Sequence, residues 1–241
     1  MKTRGPTLDE ARRGIYLDFE GTVDGPPAVL GTLWVSRQGQ EPMLRQYVLD
    51  RALRPVAAPP IKSASLAGEL HSLLGRAERQ HRVLIGWSGH ELEVVRAHCP
   101  ELAPAFESVY RDAKVPAKAW GRLRGLKLKK DERKRKHRLS SYEAALGQAR
   151  SEELGPKEMS KAIRGVRREL DRGAEVVSAH AMRRWQRMLE HNELDLRATR
   201  AVALRVCEDL AAAEVAKQPR AEEPRERRGA KKAKRKRRRA A

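Results

Sequence analysis

The sequence contains few cysteines and aromatic residues and no long apolar run. Its two cysteines, Cys99 and Cys207, are too few for a disulfide framework or a cysteine-based zinc site, and they suit a reducing cytoplasm. No run approaches the roughly 18 apolar residues that span a membrane, and residues 1–13 lack the apolar segment of a secretory signal. Hydrophobic residues make up 40% of the chain but aromatic residues only 4%, so the core must consist mainly of Leu, Val, Ile and Ala.

Acidic residues are scarce relative to basic ones. The 241 residues include 52 Lys and Arg against 32 Asp and Glu, which gives a net charge of +20. Residues 121–138 contain ten basic and two acidic residues, and residues 217–241 contain thirteen and three, so these two segments carry almost all of the excess. We expect a polyanionic partner, and nucleic acid, either DNA or RNA, fits better than a membrane surface. The expected location is the cytoplasm, where the protein could associate with the nucleoid or with RNA.

The change in composition along the chain predicts one folded domain at 14–214 with a basic insertion at 121–138. Residues 1–13 are expected to be an N-terminal extension. Residues 215–241 are expected to be a basic tail that is disordered when free, because a segment with almost no apolar side chains beyond Ala cannot offset its ordering entropy.

Apolar patterning predicts an α/β fold. Strands are expected at 14–20, 28–36, 43–49 and 82–87. Short connections between the first three strands favour an antiparallel meander. Helices are expected at 65–80, from 89 onward, through most of 100–120, and at 139–147, 157–172 and 180–214, the last broken near His191. Residues 109–112 are compatible with either a helix or a short strand.

Two carboxylates follow the apolar residues of the first strand. Asp18 and Glu20 are separated by one residue, so on a strand their side chains point to the same face. Like charges placed side by side repel unless a cation lies between them, and Mg²⁺ and Mn²⁺ prefer carboxylate oxygen. The pair therefore indicates a divalent metal site. The alternative is a solvated strand end with two exposed acids.

A further acid lies near the C-terminal end of the predicted domain. His191 and Asp195 are four residues apart, so on a helix they share one face. This pairing suits metal binding with proton transfer. The alternative is a capped helix that carries a surface histidine.

The fourth candidate acid follows the predicted strand at 82–87. Glu91 and Glu93 would lie in the first turn of the next helix, where only one of them can face a given site. The alternative is that both acids interact favourably with the helix dipole and have no other role.

Four short motifs, taken together, resemble a known family. In chain order they read IYLDFEG, GWSGHE, LSSYEAALG and HNELDLRAT. This succession is similar to the DEDD-type nucleases of the ribonuclease H-like superfamily, and most similar to the YprB-like ribonuclease H-like domains found alone or fused to RecB-like putative nucleases. The resemblance covers about residues 14–210. It implies a mixed sheet, with three antiparallel strands followed by parallel strands, flanked by helices.

The resemblance also implies a mechanism. Asp18, Glu20, Glu91 and Asp195 take the four acidic positions, which in this superfamily hold two divalent ions, Mg²⁺ or Mn²⁺, about 4 Å apart. The implied activity is hydrolysis of phosphodiester bonds in DNA or RNA, as a 3′–5′ exonuclease. His191 stands where relatives often have Tyr and is the candidate general base. Asp112 stands where relatives often carry another Asp. It is a candidate residue that supports the metal ligands without binding the ions itself.

The basic insertion is expected to contact phosphates beside the acidic site, because four carboxylates alone repel a polyanion. The candidate nucleic-acid-binding residues are Arg122, Arg124, Lys127, Lys129, Lys130, Arg133, Lys134, Arg135 and Lys136. The alternative for this segment is a solvated insertion with no defined role. Two alternatives also stand for the whole protein. One is a catalytically inactive ribonuclease H-like protein that binds nucleic acid, and the other is a basic scaffold whose acids do not converge in space.

Overall fold

A six-stranded mixed β-sheet lies at the centre of the structure. The computed structural model describes residues 3–22, 25–36, 41–128, 137–148 and 154–217. The strands are β1 (Ile15–Gly21), β2 (Pro27–Trp34), β3 (Met43–Val48), β4 (Lys62–Ser63), β5 (Leu84–Gly86) and β6 (Tyr110–Asp112). The helices are α1 (Leu8–Arg13), α2 (Leu66–Gln80), α3 (His90–His98), α4 (Ala103–Val109), α5 (Lys114–Leu123), α6 (Leu139–Ala145), α7 (Pro156–Asp171) and α8 (Ala179–Lys217), and a 3₁₀-helix spans Arg51–Val56.

The direction of the strands changes at β1. The sheet order is β4-β3-β2-β1-β5-β6. Strands β1, β2 and β3 pair antiparallel, whereas β5 runs parallel to β1 and β6 runs parallel to β5. The predicted class, an α/β fold with three antiparallel strands followed by parallel ones, is therefore confirmed, and it is compatible with a ribonuclease H-like fold. Because β1, β5 and β6 are parallel neighbours, their carboxyl ends lie at one edge of the sheet.

Alternation along β1 separates two layers of the core. Ile15 and Leu17 pack in the layer that contains α2, α3 and α4. Tyr16 packs in the other layer, with Leu196 of α8. Asp18, two residues after Tyr16, points to the α8 side, where its carboxylate accepts a hydrogen bond from α8. The strand therefore presents its two acids to the long helix, while its alternate residues form the core.

The long helix α8 is continuous, so the predicted break near His191 is wrong. The segment from Ala179 to Lys217 contains neither Gly nor Pro, the residues that most often interrupt helices. Its buried side chains contact the sheet on both sides of His191, with Trp185 packed beside β2 and β3 and Leu196 beside β1. Within the described residues, no helix is long and apolar enough to cross a membrane.

The N-terminal segment contains a helix that the sequence analysis did not predict. Thr7 and Glu10 form a capping box that starts α1. Ala11 is fully buried in the same cluster as Cys207 of α8. Residues 8–13 therefore pack on the layer of the core that α8 also covers.

Four other segments differ from, or add to, the predictions. Residues 110–112 form a strand, β6, which is the second of the two alternatives for 109–112. Strand β4 and the 3₁₀-helix were not predicted. The predicted tail begins inside the last turn of α8, and its residues 218–241 lie outside the described part of the chain.

Candidate metal centre

A cleft of about 890 Å³ opens where the carboxyl end of β1 meets α3, α5 and α8. Its lining includes Asp18 and Glu20 from β1, Glu91 from α3, and His191 and Asp195 from α8. The structure thus brings together all four acids that the sequence analysis selected, with the histidine beside them. Residues separated by up to 177 positions in the chain meet here because three elements end or cross at one edge of the sheet.

The two acids of β1 lie among other carboxylates. Burial raises the pKa of Asp18 well above its usual value, and the negative charges of Glu20, Asp195 and Glu91 raise it further. Burial and the charge of Asp195 raise the pKa of Glu20 to about 8. The four acids are therefore close enough to oppose one another's ionisation, which is the electrostatic condition that a bound cation relieves.

Glu91 is the buried acid of α3. Its side chain is 3% exposed, whereas Glu93 is exposed at the rim of the same cleft. The Tyr110 hydroxyl, from β6, donates a hydrogen bond of 2.7 Å to Glu91 Oε2. Burial raises the pKa of Glu91 to about 7, against the hydrogen bond from Tyr110, which lowers it.

A glycine at the end of β5 makes room for this pair. A Cβ at Gly86 would lie 2.3 Å from the Tyr110 hydroxyl oxygen and 2.8 Å from Glu91 Oε2. Contacts this short are forbidden, so the approach of Glu91 and Tyr110 to the strand requires glycine here.

Among the described residues, Glu20, His191 and Asp195 form a group of potential metal ligands, which does not include Asp18 or Glu91. One ligand atom of each lies within 4.8 Å of the others. His191 Nε2 is 3.6 Å from Asp195 Oδ2, across one turn of α8, and His191 is 7% exposed. Two carboxylates and an imidazole can hold a divalent cation such as Mg²⁺ or Mn²⁺.

A buried amide holds Asp18 in place. Asn192, fully buried on α8, donates from Nδ2 to Asp18 Oδ2 at 2.8 Å and to the Asp18 carbonyl oxygen at 3.3 Å. Gln46 of β3 donates from Nε2 to Asn192 Oδ1 at 3.0 Å and to the Leu189 carbonyl oxygen at 2.7 Å. The bond from Gln46 orients the amide of Asn192 so that its NH₂ group faces Asp18.

Strand β2 lies between Asp18 and Gln46, and it has a glycine, Gly31, at the position that pairs with both. A Cβ at Gly31 would lie 2.0 Å from Asn192 Oδ1. Glycine at this position allows α8 to approach the sheet. It also leaves space above β2 for the Asn192 amide, which links Gln46 to Asp18. Sequence reasoning did not find Gln46 or Gly31, whereas Asn192 lies inside the motif HNELDLRAT and that motif was the available signal.

Asp112 lies behind the acidic group. At the end of β6 it accepts hydrogen bonds from the Lys114 backbone N–H at 2.8 Å and from the Thr3 hydroxyl at 3.3 Å. It is 8% exposed, and its charge raises the pKa of Glu91. Its position next to Glu91 fits the supporting residue that the sequence analysis suggested, while its role in function stays a prediction.

The structure describes three of the nine candidate nucleic-acid-binding residues of the basic insertion. Arg122, Arg124 and Lys127 are exposed, and Arg124 pairs with Asp209 of α8 at 2.6 Å. These three side chains do not line the cleft among its described residues. The other candidates lie outside the described residues: Lys129, Lys130, Arg133, Lys134, Arg135 and Lys136.

Other basic side chains line the cleft. Lys114 and Lys118 of α5, together with Arg138 before α6, line it, although the sequence analysis did not select them. For the two lysines, the available signal was their proximity to Asp112 in the sequence and their four-residue spacing. Arg138 is the last residue of the predicted basic insertion.

The donors in the cleft suit hard divalent cations. Oxygen from four carboxylates with one imidazole matches the ligand preferences of Mg²⁺ and Mn²⁺. Asp18 and Glu91 each have one carboxylate oxygen that accepts a hydrogen bond from a protein side chain. The sequence matches no known family model and no curated protein.

Proposed function

We propose that this protein is a metal-dependent nuclease that hydrolyses phosphodiester bonds of nucleic acid from the 3′ end by a two-metal mechanism. One observation carries the proposal: four carboxylates from β1, α3 and α8 line one cleft in a protein whose net charge is +20. Clustered carboxylates repel a polyanionic substrate, so in a nuclease they require bound cations and basic surroundings.

Each side chain takes a distinct part in this proposal. Asp18, Glu20, Glu91 and Asp195 would hold the divalent ions, Mg²⁺ or Mn²⁺. When bound, such ions supply Lewis acidity to phosphate oxygens and lower the pKa of water. His191 Nε2, beside Asp195, would accept a proton from the attacking water.

Cleavage of end-labelled oligonucleotides tests the proposal. Single-stranded and duplex DNA and RNA with a 5′ label are incubated with Mg²⁺ or Mn²⁺, or with EDTA. We expect metal-dependent shortening from the 3′ end, one nucleotide at a time, and a loss of at least 100-fold in Asp18→Asn. Glu78→Gln, which neutralises an exposed acid on α2 at the other face of the sheet, should keep full activity.

Two results would overturn the proposal. The first is an absence of cleavage of every substrate with either ion. The second is equal activity in Asp18→Asn and the unchanged protein, which would assign the cleavage to a contaminant.

The second candidate function is binding of nucleic acid without hydrolysis. The observation that favours it is His191, which occupies the position where the nucleases it resembles often have Tyr. Tight, salt-sensitive binding of oligonucleotides with no product after prolonged incubation with Mn²⁺ would support this function.

A further inference from the structure

One wall of the cleft is basic. Lys114 and Lys118 are separated by one turn of α5, so both side chains project from the same helix face, and both are half-buried. Both line the cleft that contains the four carboxylates. The lysines are therefore held beside the acidic group by a helix, whereas Arg122 of the same helix is exposed away from the cleft.

The position of this wall is fixed by the turn that precedes α5. Asp112 ends β6 next to Gly86 of β5, and its carboxylate accepts the backbone N–H of Lys114 at 2.8 Å. Helix α5 therefore begins at the same edge of the sheet where β5 leads into the helix of Glu91.

A third cation belongs to the same wall. Arg138 lies at the end of the basic insertion and lines the cleft. The preceding His137 is anchored by a 2.6 Å hydrogen bond between its Nδ1 and the Tyr142 hydroxyl. Arg138 is thereby kept at the cleft, whose lining also includes the two lysines.

We propose that Lys114, Lys118 and Arg138 form an anion subsite for backbone phosphates of a single nucleic-acid strand, adjoining the phosphodiester at the carboxylates. This inference rests on the proposed function for the identity of the neighbouring site. A cleft of about 890 Å³ is within the range of about 300–1,000 Å³ for ligand pockets, which suits a few nucleotides of one strand. Basic grooves that follow the backbone are the usual mode of sequence-independent single-strand binding.

The salt dependence of binding tests the subsite. Binding of a fluorescent single-stranded oligonucleotide to the full chain is followed by anisotropy in EDTA, at several salt concentrations. Each phosphate contact that is lost should reduce the slope of log K against log salt by about 0.7. We expect Lys114→Gln/Lys118→Gln to reduce the slope by about 1.4.

The matched controls separate this subsite from general attraction. Arg79→Gln removes one charge from the exposed surface of α2, outside the cleft, and should leave the slope unchanged. Lys114→Arg/Lys118→Arg keeps both charges and should retain the slope. Equal slopes in the double Gln variant and the unchanged protein would overturn the proposal, and so would a reduction in Arg79→Gln as large as in the double Gln variant. A reduction seen with a blunt duplex but not with the single strand would overturn it as well.

The failure of this inference is distinguishable from the failure of the proposed function. Binding is measured without metal and without turnover, so the slope reports the lysines even if no hydrolysis occurs. If cleavage occurs but the slopes do not differ, the nuclease stands and the subsite is wrong.

Discussion

At the scale of single residues, the site depends on side chains that control the carboxylates as much as on the carboxylates themselves. Asn192 contacts Asp18, and Gln46 contacts Asn192, across three neighbouring strands. Groups that orient a metal ligand tune its affinity for metal, and their loss typically costs 10–100-fold. We therefore regard Gln46 and Asn192 as positioning residues for Asp18.

The exchange Gln46→Ala tests this role. It leaves every candidate ligand in place but removes the donor that orients the Asn192 amide. We expect the affinity for Mn²⁺ to fall about 10-fold or more, measured by calorimetry, while the protein stays folded. Gln186→Ala, on the exposed face of α8, should leave the affinity unchanged. If the two variants bind Mn²⁺ equally well, Gln46 has no positioning role.

At the scale of elements, the site exists because α8 crosses the sheet closely and without a break. The sequence was sufficient to predict β1 and the common face of Asp18 and Glu20, because a strand alternates with a period of two. It did not predict that α8 continues through His191, because a polar stretch there looked like a helix end. Burial of Asn192 against β2 decides this point, and such a long-range contact has no local signal in the sequence.

The exchange Gly31→Ala tests the close approach of α8 to β2. The new Cβ would lie 2.0 Å from Asn192 Oδ1 and 2.7 Å from a Leu196 methyl carbon, so these buried side chains or the helix that carries them must shift. We expect the free energy of unfolding in urea to fall by about 1–3 kcal/mol. Metal affinity should fall as well, since Asn192 is displaced from Asp18.

A matched exchange in an open position provides the control. Gly165→Ala lies inside α7, where a new Cβ meets no atom within 4 Å. The free energy of unfolding should therefore stay unchanged or rise by up to about 1 kcal/mol, because Ala favours a helix over Gly. Equal stability of the two variants would contradict the packing described for Gly31.

At the scale of the whole molecule, the structure places an acidic cleft inside a strongly basic chain. Composition was sufficient to predict the basic character, and the resemblance of the motifs implied the mixed sheet, but neither predicted which cations adjoin the acids. The predicted insertion supplies Arg138 to the cleft, and the two lysines come from α5, a helix the sequence did not single out. Their proximity depends on the turn after β6, which only the fold defines.

Crowded, buried acids should make the metal-free protein sensitive to pH. In the folded state the pKa of Glu20 is raised to about 8 and that of Glu91 to about 7, from a usual value of 4.5. At pH values between 4.5 and these raised pKa values, the two carboxyl groups hold more protons in the folded protein than in the unfolded chain. The free energy of unfolding must therefore fall as the pH rises from about 4.5 to 8. We expect the midpoint of thermal unfolding in EDTA to fall over this range.

Two comparisons assign this pH dependence to the cleft. Glu20→Gln should reduce the fall in the midpoint, whereas Glu78→Gln, an exposed acid, should not. Addition of Mn²⁺ should raise the midpoint most near pH 8, because cations bind the ionised carboxylates. A midpoint that rises with pH in EDTA would contradict the electrostatics described here.

The proposed function requires Asp18, Glu20, Glu91 and Asp195 to form one site for divalent cations. Calorimetric titration of the full chain with Mn²⁺ tests it most directly. The account predicts about two ions per chain, with loss of at least one of them in Asp18→Asn and no loss in Glu78→Gln. Absence of Mn²⁺ binding, or the same stoichiometry and affinity in Asp18→Asn, would contradict it.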